Sequence, residues 1–150
     1  MSTVRASLAA GGAALALLTA WTVTGQAGRP ARPQVTDARV MAPTAARTGA
    51  YFTVRNRGDQ PDELLAVRTP VSASAMLSRH VYRDGAGRME MLDRLAVPSH
   101  TAVRMTPATV NVMIQPREPL RAGRTVPFTL VFRHGGEVRV TAVVTPPGGG

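Results

Sequence analysis

The sequence predicts an all-β protein, a Greek-key β-sandwich or barrel, behind an N-terminal export segment. Three observations carry the prediction. The 150 residues fit one domain, and 14 Gly and 12 Pro with only 18% charged residues argue against long helices. Short β-branched and aromatic runs recur about every ten residues, separated by Gly, Pro, Asn and Asp turn signals. No stretch carries the period of an amphipathic helix.

Residues 1–27 read as a signal peptide: Arg5, an uncharged run from Ala6 to about Val23, then the small-x-small pair Gly25 and Ala27. An uncleaved N-terminal anchor is the alternative, because the run approaches the ~18 residues at which a spanning helix becomes plausible. Either reading places the domain outside the cytoplasm, as a periplasmic, cell-envelope or secreted protein touching membrane only through an uncleaved N-terminus. Residues 28–34, rich in Pro and Arg, form a linker. The sandwich spans 35–145, and 146–150 is a flexible Pro-Gly tail.

Within the domain, 35–40 opens the strands, and 50–56 is aromatic and β-branched up to the turn signal Asn56-Arg-Gly58-Asp59. Residues 64–67 follow Pro61-Asp62. Residues 76–82 and 88–92 flank Asp84-Gly85-Ala86-Gly87 and read as a hairpin. Shorter strands at 103–105 and 109–114 lie on either side of Pro107. Phe128, Leu130 and Phe132 alternate with smaller or polar neighbours, and Val138, Val140, Ala142 and Val144 do so after Gly135-Gly136. Pro127 cannot donate to a ladder, so its strand is expected at an edge, or to begin there.

Composition excludes several functions. Cysteine is absent, so disulfides, thiolate metal sites, Cys nucleophiles and a lipidated Cys are all unavailable, and any soft ligand must be Met. All 18 basic residues are Arg against 9 acids, a formal +9. They are dispersed along the chain with few aromatics between them, the pattern of a solvated surface and not of a nucleic-acid-binding stripe. Neither a carboxylate pair nor a phosphate loop is present, and Ser99-His100 has no Asp placed for a triad, so no enzyme is expected. Five of the seven Met fall between Met76 and Met113, together with His80.

The order of segments resembles the periplasmic PCuAC copper chaperones, a family also described as a domain of unknown function (DUF461), over about 35–144. Tyr51-Phe-Thr-Val-Arg-Asn56-Arg-Gly58-Asp-Gln-Pro61-Asp62 is similar to the family's Tyr-x-x-Ile-x-Asn-x-Gly-Asp-x-Pro-Asp signature. Pro119-Leu120-x-x-Gly123-x-x-Val126-Pro127 resembles its later Pro-Leu-x-x-Gly-x-x-Val-Pro run. The resemblance implies a cupredoxin-like β-sandwich. It also implies a Cu(I) site of the form His, ten residues, Met, 21 residues, His-x-Met, whose thioethers favour the soft ion.

That motif fits here in two registers. One runs Ser78, Met89, Asn111, Met113 and keeps both Met while vacating both His positions. The other runs His80, Met91, Met113, Gln115. The spacings from Pro70 and to Pro98 that the resemblance implies select the first. Strand alternation then puts Met76 and His80 on the face of Ser78, and Met91 on the face of Met89. The expected ligands are therefore Met89 and Met113, helped by His80 or by Met76 and Met91, with Ser78 and Asn111 marking vacated imidazole positions. The competing explanation is that these Met fill the core, as Met105 is expected to do.

Two functions follow. The first is an exported copper-binding protein or chaperone passing Cu(I) to a copper-accepting protein such as an oxidase assembly partner. The second is a metal-free binding or assembly module of the same fold. A third, an envelope sandwich whose Arg bind an acidic polymer, stands outside the resemblance.

Overall fold

The computed structural model describes residues 2–23 and 28–148. The N-terminal segment contains a helix, α1 (Ser2–Val23). Among the described residues no helix is long and apolar enough to cross a membrane. The expected cleavage pair Gly25 and Ala27 lies outside the described residues, as does the end of the tail.

Ten strands follow: β1 (Pro33–Met41), β2 (Thr48–Asn56), β3 (Asp62–Arg68), β4 (Ser72–Arg83), β5 (Ala86–Met91), β6 (Leu95–Val97), β7 (Ala102–Arg104), β8 (Val110–Pro116), β9 (Thr125–Phe132) and β10 (Gly136–Thr145). They are hydrogen-bonded in the order β5-β4-β8-β2-β1-β10-β9-β3-β6, with β7 also paired to β2. The β1–β10 pair is parallel and the remaining described pairs are antiparallel. This path folds over on itself. Phe52 of β2 and Phe128 of β9 are three strands apart along it, a separation of ~14 Å in a flat sheet. Their rings nevertheless meet edge to face at 5.1 Å. The result is a sandwich whose interior also takes Val40, Val54, Leu64, Met105, Val112, Ile114, Leu130 and Val144, each at most 1% exposed.

The crossing point is β1. A bulge between Thr36 and Arg39, with Asp37 at φ 51°, divides the strand. Residues before the bulge pair with β2; those after it pair with β2 and β10 together. The bulge and the resulting change of sheet had no sequence signal beyond the ordinary tolerance of Asp for positive φ.

The signature residues prove structural. Asn56 is fully buried: its Oδ1 accepts from the amides of Arg32 and Gly58, and its Nδ2 donates to the carbonyls of Gln60 and Val97. Asp62, 2% exposed, accepts from the amides of Glu63, His134 and Gly135, locking the β9–β10 turn to the start of β3. Asp59 accepts from the Arg29 amide and from His100, which ties the linker down. These bonds, the Arg29 amide first and His100 second, hold the Asp59 carboxyl below its usual range. A depressed carboxyl contributes stability above its unfolded pKa and loses it as pH falls through the folded value. The linker contact is therefore expected to persist at neutral pH and to fail only below the ordinary Asp range of about 4. The protection factor of the Arg29 amide, its exchange rate relative to the intrinsic rate at each pH, checks this: it should fall on acidification and in Asp59→Asn at pH 7, and an acid-insensitive protection factor would contradict it.

Two expectations change. The Pro127 strand is not an edge: β9 lies between β10 and β3. Pro127 is tolerated because the β3 pairing stops at Thr129, and beyond it the only observed partner on that side is the Thr69 hydroxyl, which donates to the Pro127 carbonyl. Strand β6 was not expected either; three residues are too few to show alternation, and pairing with β3 creates it.

Gly49 has a packing role on β2. A Cβ there would stand 2.4 Å from the Tyr51 hydroxyl and 2.8 Å from its Cζ. Tyr51 is 5% exposed, with the Arg39 guanidinium 5.6 Å from its ring centre. Gly49→Ala is expected to cost about 1–3 kcal/mol by overpacking, visible as a lower denaturation midpoint.

Candidate functional site

Strands β5, β4 and β8 are neighbours, and their registers build the site. The hairpin turn between β4 and β5 is the two-residue Asp84-Gly85, both at positive φ (53° and 76°). That turn pairs Ser78 with Met91 and His80 with Met89. On the other side of β4, Met76 pairs with Met113 and Ser78 with Asn111. Residues paired across a ladder share a face, as do residues two apart on one strand. Met76, Ser78, His80, Met89, Met91, Asn111 and Met113 therefore occupy one face. The alternate residues Leu77, Val112 and Ile114 point into the core.

This face has three rows. At one end Met76 stands opposite Met113. In the middle run Met91, Ser78 and Asn111. At the other end His80 stands opposite Met89. Ser78 and Asn111 are buried, at 0% and 3% exposure, and the Ser78 hydroxyl donates to Asn111 Oδ1 at 2.6 Å. The two positions expected to have lost imidazoles are thus neighbours that satisfy one another.

Core packing does not account for the methionines. Met105 is 1% exposed and belongs to the interior, whereas Met76, Met89 and Met91 are 37%, 39% and 55% exposed. Their thioethers are open to an incoming ion.

The structure also sorts the expected ligands. Met91 is the residue opposite Ser78; Met89 lies one row further, opposite His80. Met89 and Met113 stand at opposite corners of this face, the first opposite His80 and the second opposite Met76. The compact thioether group around the Ser78–Asn111 pair is Met76, Met91 and Met113. Gln115, from the other register, lies beyond Met113 and away from Ser78.

Sequence reasoning missed two contributors. His80 Nδ1 lies 2.9 Å from the Pro107 carbonyl, and its ring stacks on Tyr82 at 5.8 Å and 17°. Alternation from His80 to Tyr82 was visible in the sequence, but the Pro107 contact, 27 residues away, was not. Gly49 pairs with Met113, so Tyr51, packed against Gly49, lies on this face too. Burial pushes its phenol pKa up against the opposing effect of Arg39. The remaining histidines stand elsewhere: His100 pairs with Asp59, and His134 is an exposed turn residue.

Among the described residues no three His, Cys, Asp or Glu side chains gather to hold a metal. The donors on offer are thioethers and one imidazole, a set that suits Cu(I) and disfavours Zn(II), whose usual ligands are thiolate, imidazole and carboxylate.

Residues 33–144 match the family model described as "Putative lipoprotein LpqE-like". No curated protein matches the chain in sequence. Among solved structures, apo-DR1885 from Deinococcus radiodurans is 32% identical, with 76% of this chain and 78% of that chain covered and a TM-score of 0.57. Its Cu(I) form is 29% identical, with 79% and 80% covered and a TM-score of 0.61. The copper-bound PCuAC domain from PmoF2 is 24% identical, with 77% and 94% covered and a TM-score of 0.65, a likeness of fold.

Proposed function

The chain belongs to the LpqE-like family, with the cupredoxin-like sandwich of PCuAC domains, and from that premise we propose that it is an exported protein that carries Cu(I) on thioethers and yields it to a partner. The observation that carries this reading is the group of exposed Met76 and Met91 with half-buried Met113 around the Ser78–Asn111 pair. Copper is cargo here, not a resident cofactor.

Thioethers are neutral donors that bind soft Cu(I) without releasing protons and part from it readily, which suits a carrier. The vacated imidazoles remove the nitrogen donors that Cu(II) prefers, so the oxidised ion loses more than the reduced one. Met91 ends the edge strand β5, where an incoming ligand can reach it. A groove of about 280 Å³ lined by Leu65, Met76, Leu77, Met91 and Leu92 opens beside it, giving an acceptor's donor atoms a path to the ion.

Export rests on the order of the N-terminal segment, with Arg5 followed by an uncharged run. The matched family is described as a lipoprotein, but this sequence has no cysteine to carry a lipid. The domain limits follow the same reading, with one change: 1–27 leader, a linker that ends at residue 32 and not 34 because β1 starts at Pro33, sandwich to 145, 146–150 tail.

Cu(I) titration of the purified protein against a competing chelator tests the assignment, with Zn(II) as control. At least one Cu(I) and no Zn(II) is expected. Met91→Leu and Met113→Leu should each weaken binding about tenfold or more, ~1.4 kcal/mol. Equal binding by wild type and both variants would place the metal elsewhere. The hydrogen-bonded Ser78–Asn111 pair supports a second reading, a metal-free module of the same fold that contacts a partner through this face. A folded wild-type protein that takes up no Cu(I) would favour it.

A further inference from the structure

We propose that the outer edge of β5 pairs antiparallel with the same edge of a second copy of this chain, giving a two-fold symmetric dimer with one sheet running through its interface. The association needs no metal and goes beyond the proposed function.

The edge is open and unguarded. β5 ends the strand order, and it pairs with β4 in unbroken register from Ala86 to Met91. The Leu92 amide donates to the Leu77 carbonyl at 2.9 Å. Hydrogen-bonded pairs alternate along an antiparallel ladder, so Glu90 with Arg79 and Arg88 with Val81 are the pairs that exchange backbone bonds. The amides and carbonyls of Gly87, Met89 and Met91 therefore point away from β4, and among the described residues no hydrogen bond reaches them. Free edges are ordinarily blunted by Pro, Lys, a bulge or extreme shortness. The other end of the strand order uses the last device, β6 being Leu95–Val97 alone; β5 uses none of them. Large apolar side chains border this edge, since Met89, Met91 and Tyr82, the last across from Gly87, are all exposed.

Charge selects the occupant and its register. Outward-facing residues must meet outward-facing residues, so two copies can be centred on Arg88, on Met89 or on Glu90 with most of the edge in contact. Centring on Arg88 or on Glu90 sets like charges directly opposite each other, which destabilises the pair. Centring on Met89 sets Arg88 opposite Glu90 of the second copy and Glu90 opposite Arg88 of the second copy, while Gly87 meets Met91 and Met89 meets its own counterpart through backbone bonds. The charged pairs then occupy non-hydrogen-bonded positions, where Cα atoms stand only ~4.5 Å apart. Arg88 has no ion-pair partner among the described residues and gains one. Glu90, half-buried and 3.5 Å from Arg79 on its inner side, comes to lie between two guanidinium groups. The edge is thus complementary to itself, which is what a two-fold interface requires. Backbone groups make the pairing, so the Met89 and Met91 side chains keep their place on the thioether face.

Sedimentation equilibrium of the purified full chain over about 5–500 µM, a range suited to so small an interface, tests the pairing, with amide exchange at both limits. The wild type should pass from monomer to dimer. Arg88→Glu and Glu90→Arg should each weaken association about tenfold or more, because each turns both charged pairs into like-charge pairs. The double variant Arg88→Glu/Glu90→Arg should regain it, and so should an equimolar mixture of the two single variants. In the dimer the amides of Gly87, Met89 and Met91 should gain protection, whereas those of Arg88 and Glu90, already bonded to β4, should not change. A wild type that stays monomeric throughout would overturn the proposal. Association of equal strength in the wild type and both single variants would overturn it too, by placing the contact elsewhere, α1 included. So would a loss in the single variants, folded by their denaturation midpoints, that neither the double variant nor the mixture restores.

Discussion

Replacing Ser78 and Asn111 together by histidine is expected to raise affinity for copper at least ~100-fold. The estimate is conservative, because loss of a supporting group behind a metal ligand already costs 10–100-fold, and here two ligands would be added. Both positions lie in the middle row, side by side, with Met91 opposite Ser78 and Met113 two residues along β8 from Asn111. Two imidazoles and two thioethers would then converge where a hydroxyl and an amide now bond to each other. The exposed Met76 and Met91 side chains leave room for the larger rings to emerge from the sheet. Cu(II) should gain more than Cu(I), since the added donors are nitrogens. The lost Ser78–Asn111 bond costs ~1 kcal/mol, so a slightly lower denaturation midpoint is expected alongside the gain. Chelator competition for both oxidation states, with the midpoint as a folding control, decides the matter. A folded double variant with unchanged affinity would show that this face does not build a copper site.

Asn56→Ala is expected to be the most damaging polar substitution, at ~3–4 kcal/mol. The side chain makes four hydrogen bonds from a fully buried position. Removing it strands the amides of Arg32 and Gly58 and the carbonyls of Gln60 and Val97, each partner worth ~1 kcal/mol or more when left unsatisfied. For a domain of this size the loss corresponds to roughly 10 °C in the denaturation midpoint. Asn56→Asp keeps the acceptor and forfeits both donations, so it should fall between wild type and alanine. A drop under ~1 kcal/mol for alanine would mean that water replaces the side chain and that the signature Asn is not structural.

The face bearing the candidate site was legible in part. Alternation alone put Met76, Ser78 and His80 together, because side-chain period along a strand is a local property. That Ser78 and Asn111 belong to one site was implied by the family resemblance; that they pair across the β4–β8 ladder came from the structure. The partner of Ser78 on β5 did not follow, since a residue count cannot say how many residues a turn consumes. The turn takes two, Asp84-Gly85, and the ladder then sets Met91 beside Ser78 and Met89 beside His80. The choice between core and surface was read for Met105, which is buried as expected, but not for Met76, Met89 and Met91, because burial depends on what packs above each.

The sequence by itself determined what each segment can do. Turn residues and β-branched runs dictated a β-sandwich, the absence of cysteine limited soft chemistry to thioethers, and Asn56, Gly58, Asp59 and Asp62 marked a fixed corner. These are local or compositional properties, carried by residue type and spacing. Only the tertiary structure decided which segments meet: that β8 lies between β4 and β2, that β1 crosses from one layer to the other at a bulge, that Pro107 holds His80 from 27 residues away, and that three thioethers surround a hydrogen-bonded pair. Such long-range pairings are selected by burial of the whole apolar face at once, and no single segment carries that information.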